Sequence, residues 1–225
     1  VDSCLGRFDF DSVQILKGSA SSNQYLVEKM SENLRRTKTD LLVVLSNNRT
    51  GLPHWFLGSF AETAALAATC SVLVVKPHVK GLEFSSKPSL TVALDASAQY
   101  TPKHIKWIAD FALPAKARID VVCVKPGSKG VLSHLRKPKD PKLAIGEIKK
   151  FDRALKQLGL VTTLSFIGEK GSVAETISSF ADRRKSSVVL TIATERKAAR
   201  RILIGSTARR VLTLTKRPFI SLRLA

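Results

Sequence analysis

The chain has 225 residues, 44% of them hydrophobic and 24% charged, a balance that suits one or two ordinary cores and excludes disordered and fibrous classes. Its formal net charge of +19 is uneven: Lys+Arg minus Asp+Glu is 9 − 8 = +1 over residues 1–86 and 28 − 10 = +18 over residues 87–225. No apolar run approaches the roughly 20 residues that cross a bilayer, and the opening Val-Asp-Ser-Cys-Leu-Gly-Arg lacks the parts of a signal peptide, so the expected location is the cytoplasm.

In chain order, Val13-Gln14-Ile15-Leu16 reads as a strand and the stretch from Ser21 to Arg36 as a helix. Leu41 to Leu45 is a second apolar strand, followed by a polar loop, then Trp55-Phe56-Leu57-Gly58-Ser59, an Ala-rich helix and the strand Ser71–Val75. Lys76 to Lys87, with Pro77, Gly81 and Ser85-Ser86, suits an exposed connection.

Beyond it the chain alternates strand and helix in the rhythm of a parallel sheet with crossover helices. The strands are predicted at Leu90–Leu94, Ile119–Val124, Thr162–Ile167, Val188–Ile192 and Pro218–Leu224. Helices are predicted from Thr101-Pro102 through Ala112, up to Leu158 where Gly159 ends the run, over Ser172–Arg184, and over Ser206–Thr215. A basic, Pro- and Gly-rich loop runs from Lys125 to about Lys142.

One segment is written twice. Leu41–Val75 and Val188–Leu222 align without a gap at an offset of 188 − 41 = 147 residues, each with a Gly-Ser pair, Gly58-Ser59 or Gly205-Ser206, opening its helix. So long a period means duplicated domains rather than a solenoid. The units are drawn as residues 1–80, a linker over 81–88, and residues 89–225. The first lacks room for the strand, helix and strand that open the second. Its absence is expected to leave open sheet edges and an uncovered core.

The order strand, polar loop, Gly-Ser turn, Ala-rich helix and short terminal strand resembles the universal stress protein superfamily, here as a tandem pair. Leu90-Thr91-Val92-Ala93-Leu94-Asp95-Ala96-Ser97 looks like that family's opening strand with its Asp and Ser. The resemblance implies a Rossmann-like five-stranded parallel α/β fold, ordered 3-2-1-4-5 with helices on both faces. It also implies domains that pair through their fifth strands, so the two units would form an intramolecular pseudo-dimer, with further homo-oligomers open.

Many members of that family bind ATP through G-x2-G-x9-G-S/T. Its first glycines bring backbone N–H groups close to phosphates, and its last opens a helix whose N-terminus favours an anion. Aligned on the final glycine, Leu45 and Asn48 stand at the leading positions of the first unit, and Ile192 and Glu195 at those of the second. What remains is Gly58-Ser59 and Gly205-Ser206-Thr207, with Asp95 and Val124 carried over by resemblance as the base-facing ends of strands one and two. ATP is therefore the candidate ligand of a degraded motif. Arg196 and Arg200 in the loop, with Arg209 and Arg210 one turn into the helix, are placed to supply charge in place of backbone donors. The alternative is that the two glycines only permit a tight loop-to-helix turn, with Ser59 and Ser206 near the caps.

The four histidines and three cysteines show no metal-ligand spacing, and the cysteines read as reduced, mostly buried thiols. No nucleophile elbow or acid/base pair is visible, so a binding module rather than an enzyme is expected. Two other functions stay open: nucleic-acid or polyanion binding by the basic half through residues 183–185, 196–201 and 209–217, and a soluble regulatory domain of a transporter.

Overall fold

A computed structural model describes residues 23–46, 59–76, 88–125, 140–193 and 205–224. The first half supplies helix α1 (Asn23–Arg36), strand β1 (Leu41–Leu45), helix α2 (Ser59–Ala67) and strand β2 (Ser71–Val75). The second half supplies β3 (Ser89–Leu94), α3 (Pro102–Ala112), β4 (Arg118–Lys125), α4 (Pro141–Gln157), β5 (Thr162–Gly168), α5 (Val173–Arg183), β6 (Val188–Ile192), α6 (Ser206–Leu214) and β7 (Phe219–Leu222). The strand expected at Val13–Leu16 lies outside the described residues.

Among the described residues seven strands form one sheet in the order β1-β2-β7-β6-β3-β4-β5. Every neighbouring pair is parallel except β2 with β7, which is antiparallel. Strands β3 and β7 are buried along their whole length, as is β4 between its end residues, which is why their sequences are near-continuous apolar runs rather than alternating ones. One face carries α1, α2, α5 and α6, packed on Val72, Val189 and Phe219. The other carries α3 and α4, whose Ile108, Ile148 and Leu155 meet Val92, Leu190 and Ile220.

The helix starts follow from local chemistry. Asp140 accepts from the N–H of Lys142 and Leu143 with Pro141 as the first helical residue, and Thr101 precedes Pro102 in the same way. Ser172 and Glu175 form a reciprocal capping box at α5. After α4 the chain reverses at Gly159, whose φ of +88° is a left-handed conformation that glycine adopts without a Cβ clash.

Residues 147 apart in sequence meet in space. In the antiparallel β2–β7 ladder Leu73 pairs with Ile220, its own repeat equivalent, flanked by Val72 with Ser221 and Val74 with Phe219. Glu62 of α2 takes Arg209 of α6, again its equivalent, at 2.7 Å. Around these central contacts two buried cations are exchanged. Lys76, just after β2, donates to the carbonyls of Leu212 and Thr215 at 2.8 and 2.6 Å, at the C-terminal end of α6. Arg223, just after β7, donates to the carbonyls of Ala65 and Ala68 at the C-terminal end of α2. The donors, and both pairs of acceptors, are separated by the same 147 positions. Helix ends leave carbonyls without intrahelical partners and carry partial negative charge, so a cation supplied across the joint satisfies both needs.

Lys76 is only 7% exposed and Arg223 only 3%. Burial pulls the Lys76 amine down to about 8 and the Arg223 guanidinium down to about 10. The exposed connection expected to begin at Lys76 therefore begins with a buried side chain; residues 77–87 lie outside the described ones. Among the described residues no helix is long and apolar enough to cross a membrane.

Candidate nucleotide and anion site

Strands β3 and β6 are parallel neighbours, yet the chain leaves them in opposite directions: α3 packs on one face of the sheet and α6 on the other. Their adjacent carboxyl ends thus form a topological switch point, where open α/β sheets offer a crevice. Asp95 stands on the β3 side of it. Gly205, Ser206 and Thr207 open α6 on the β6 side, and Val124 is the last residue but one of β4, just beyond its pairing with β3.

The Asp95 turn is closed on itself. One carboxylate oxygen accepts from the Ser97 N–H at 2.9 Å and from the Ser97 hydroxyl at 2.7 Å, while Asp95 itself stays exposed. The Tyr100 hydroxyl accepts from the Asp95 N–H at 2.6 Å and donates to the Asp95 carbonyl at 2.9 Å. The Tyr100 ring meets Phe151 edge-on at 5.2 Å, and burial pushes its hydroxyl well above its ordinary pKa. Beside it, His104 accepts from the Thr101 N–H at 3.0 Å through Nδ1, and burial lowers its pKa, both consistent with a neutral ring. Tyr100 thus anchors the lip that carries Asp95, a role that sequence reading missed because both bonds go to backbone.

Val124 is buried in the core it shares with Ala93 and Val189, so it forms wall rather than polar contact. Gly205, the N-cap of α6, is extended at φ −68° and ψ 157° and provides no side-chain cap, and no acidic residue lies in the first turn. Ser206 is exposed and Thr207 half-buried. The end of the helix that concentrates partial positive charge is thus left without a carboxylate of its own.

Several expected residues are not brought here. Gly58, Arg196 and Arg200 lie outside the described residues, and Ser59 is the first residue of α2. Arg209 and Arg210, expected to serve an anion, are instead engaged by carboxylates: Arg209 by Glu62, and Arg210 by Glu175 at 3.1 Å. The reason is packing of α6 against α2 and α5. Glu175 already caps α5 by accepting from the Ser172 N–H at 2.9 Å, and its second oxygen takes Arg210. Of the basic clusters proposed to meet a polyanion, residues 196–201 lie outside the described residues, while Arg184 is paired with the buried Asp120 and Arg217 with Asp182. Cys70 and Cys123 are buried free thiols, with pKa values raised by burial, Cys123 to about 11. Among the described residues no group of His, Cys, Asp and Glu is arranged to hold a metal.

The family model described as "Universal stress protein family" matches residues 28–76 and 89–223. The chain belongs to this family. Three solved structures show the Rossmann-like α/β fold of this universal stress protein at low identity. A universal stress protein from Archaeoglobus fulgidus DSM 4304 is 10% identical with a TM-score of 0.55, over 85% of this chain and 64% of its own. A functionally unknown protein from Pseudomonas aeruginosa PAO1 is 17% identical with a TM-score of 0.61, over 91% and 68%. A protein described as a putative universal stress protein from Pseudomonas aeruginosa UCBPP-PA14 is 18% identical with a TM-score of 0.61, over 91% and 69%. The chain thus spans about two thirds of the length of these three proteins. No curated relative matches it.

Proposed function

We propose that this universal stress protein is of tandem type, a cytoplasmic stress-response binding module rather than an enzyme. Its two repeats form an intramolecular pseudo-dimer through β2 and β7, and its second repeat holds a nucleotide or related anion despite the lost glycines. The antiparallel joint between the two halves, with its reciprocal Lys76 and Arg223 caps, supports the pseudo-dimer.

The observation that carries the binding reading is the α6 N-terminus, uncapped by a side chain and free of acidic residues at the switch point of the sheet. Phosphates would accept from its leading N–H groups, with Ser206 and Thr207 hydroxyls beside them, and the base and sugar would lie toward Val124 and Asp95. Without the close backbone approach that the leading glycines permit, binding rests on fewer donors and is weaker.

The test is a calorimetric titration with Mg-ATP at low and at physiological salt. Saturable heat that survives physiological salt supports the site. No heat, or heat confined to low salt, refutes it and leaves a basic surface whose occupancy is screened away.

A further inference from the structure

At the amino ends of β4 and β5 two helix-to-strand turns stand side by side. Helices α3 and α4 lie on the same face of the sheet and end at the same pole, since each runs back against the parallel strands it connects. Leu113 is the C-cap of α3 and Leu158 that of α4. The Ala117 N–H then donates to the Ala112 carbonyl at 3.0 Å, and the Leu160 N–H to the Leu155 carbonyl at 3.2 Å, the same tight reversal in both. It tucks Ala117 and Leu160 into the core and leaves Leu113, Leu158 and Val161 outside, 41%, 47% and 70% exposed. The turns are joined through the Ile119 N–H, which donates to the Val161 carbonyl at 2.9 Å.

Cations stand among these apolar side chains. Residues 113–118 and 156–161 hold Lys116, Arg118 and Lys156, all exposed, and no Asp or Glu. The carboxylates that meet Arg118 and Lys156 are those of Asp120 and Asp152, both buried, and Lys116 makes no ion pair among the described residues. Lys116 also holds a left-handed backbone position, φ +49°, where the α4 turn has Gly159. A helix end attracts a cation, which accounts for a lysine there but not for large apolar residues kept in water beside it. Apolar residues scattered singly over a surface are ordinary; three on two adjoining turns, with cations between them and no exposed acid, form a patch.

We infer that this pole is a docking surface for a membrane that carries anionic lipid. Charge complementarity selects the occupant: Lys116, Arg118 and Lys156 meet lipid phosphates, while Leu113, Leu158 and Val161 enter the boundary between headgroups and acyl chains, which lies within about 10 Å of depth. The turns are already closed by their own backbone bonds, so docking orders little chain. Strands β5 and β1 are opposite ends of the sheet, so the pole is remote from the first repeat. Strand β4 is eight residues long, which puts the candidate nucleotide site about 25 Å from the docked pole and keeps it in water.

The experiment sediments the purified chain at physiological salt with vesicles of phosphatidylcholine alone or with about three parts in ten phosphatidylserine. Sedimentation with the anionic vesicles only is the expected result. Lys116→Gln should weaken it about fivefold and the double variant Leu158→Gln, Val161→Gln about tenfold or more, with melting temperatures unchanged because all three side chains are exposed. Lys103→Gln removes the same charge about 15 Å away at the other end of α3, beyond the screening length, and should change it by less than about twofold. Absence of sedimentation overturns the inference, as does sedimentation that the double variant leaves intact or that Lys103→Gln weakens as much as Lys116→Gln, which makes it a response to net charge at large. Binding of a short RNA that these variants abolish, with vesicles unbound, overturns it in favour of a nucleic-acid surface.

Discussion

Replacing Lys76 by Met is expected to remove a stability term that grows with pH. In the unfolded chain the amine titrates at 10.5, and in the folded chain burial lowers it to about 8. Between those values the unfolded chain holds a proton that the folded chain has released, so raising the pH favours folding. The term is complete above 10.5 and is lost as pH falls through 8. Two and a half units correspond to about 3.4 kcal/mol over the whole window, of which about 1.4 kcal/mol falls between pH 7 and pH 9.

The caps survive this titration, because a neutral amine still carries two N–H groups, enough for the carbonyls of Leu212 and Thr215. Urea denaturation of wild type and Lys76→Met at pH 7 and pH 9 measures the term. The stability difference, wild type minus variant, should increase by about 1.4 kcal/mol, since other titrations cancel in the comparison. The opposing force is the negative end of α6, which favours the ammonium. A difference that stays flat or falls with pH would mean that the helix end outweighs burial, and would refute the reasoning.

Arg223→Met is expected to cost about 2 kcal/mol in chemical denaturation, because two buried carbonyls of α2 lose charge-assisted donors while the burial penalty of the cation is relieved. Glu62→Arg and Arg209→Glu should each lower the melting temperature, and the double reversal should restore it. The coupling should be about 0.5–1 kcal/mol and shrink with salt, as suits a partly exposed pair; additive effects would deny the pair any energetic role. Ser206→Glu should abolish Mg-ATP heat by placing a carboxylate where the phosphates would sit, while leaving the melting temperature equal or slightly higher because the charge complements the helix end. Unchanged titration heat would move the ligand elsewhere.

Most elements were legible because burial writes itself into the sequence. Strand β6 runs from Val188 to Ile192 as predicted, and β3 and β4 differ from expectation by a residue at their ends, since strands buried on both faces must be apolar throughout. Proline at Pro102 and the glycine turn at Gly159 fixed two helix boundaries. The helix predicted over Ser206–Thr215 is found over Ser206–Leu214, with Gly205 as its N-cap. Charged side chains were not legible, since their partners are chosen by packing. Arg210 could only be assigned to Glu175 once α5 and α6 were side by side, and Lys76 reaches carbonyls 136 and 139 residues away. A signal existed nonetheless: the repeat puts a basic residue after the last strand of each unit, Lys76 and Arg223, a coincidence that a surface linker does not explain.

The ion pair between Glu62 and Arg209 has a meaning that depends on the two halves sharing one chain. Two identical subunits related by a two-fold axis must present the same residue from both sides wherever the axis passes. At that spot a glutamate would face a glutamate, or an arginine an arginine. Fusing two copies lifts this restriction, and opposite charges can then occupy the one place where symmetry had forbidden them. At this spot each half therefore meets in the other a charge that it could not meet in a copy of itself.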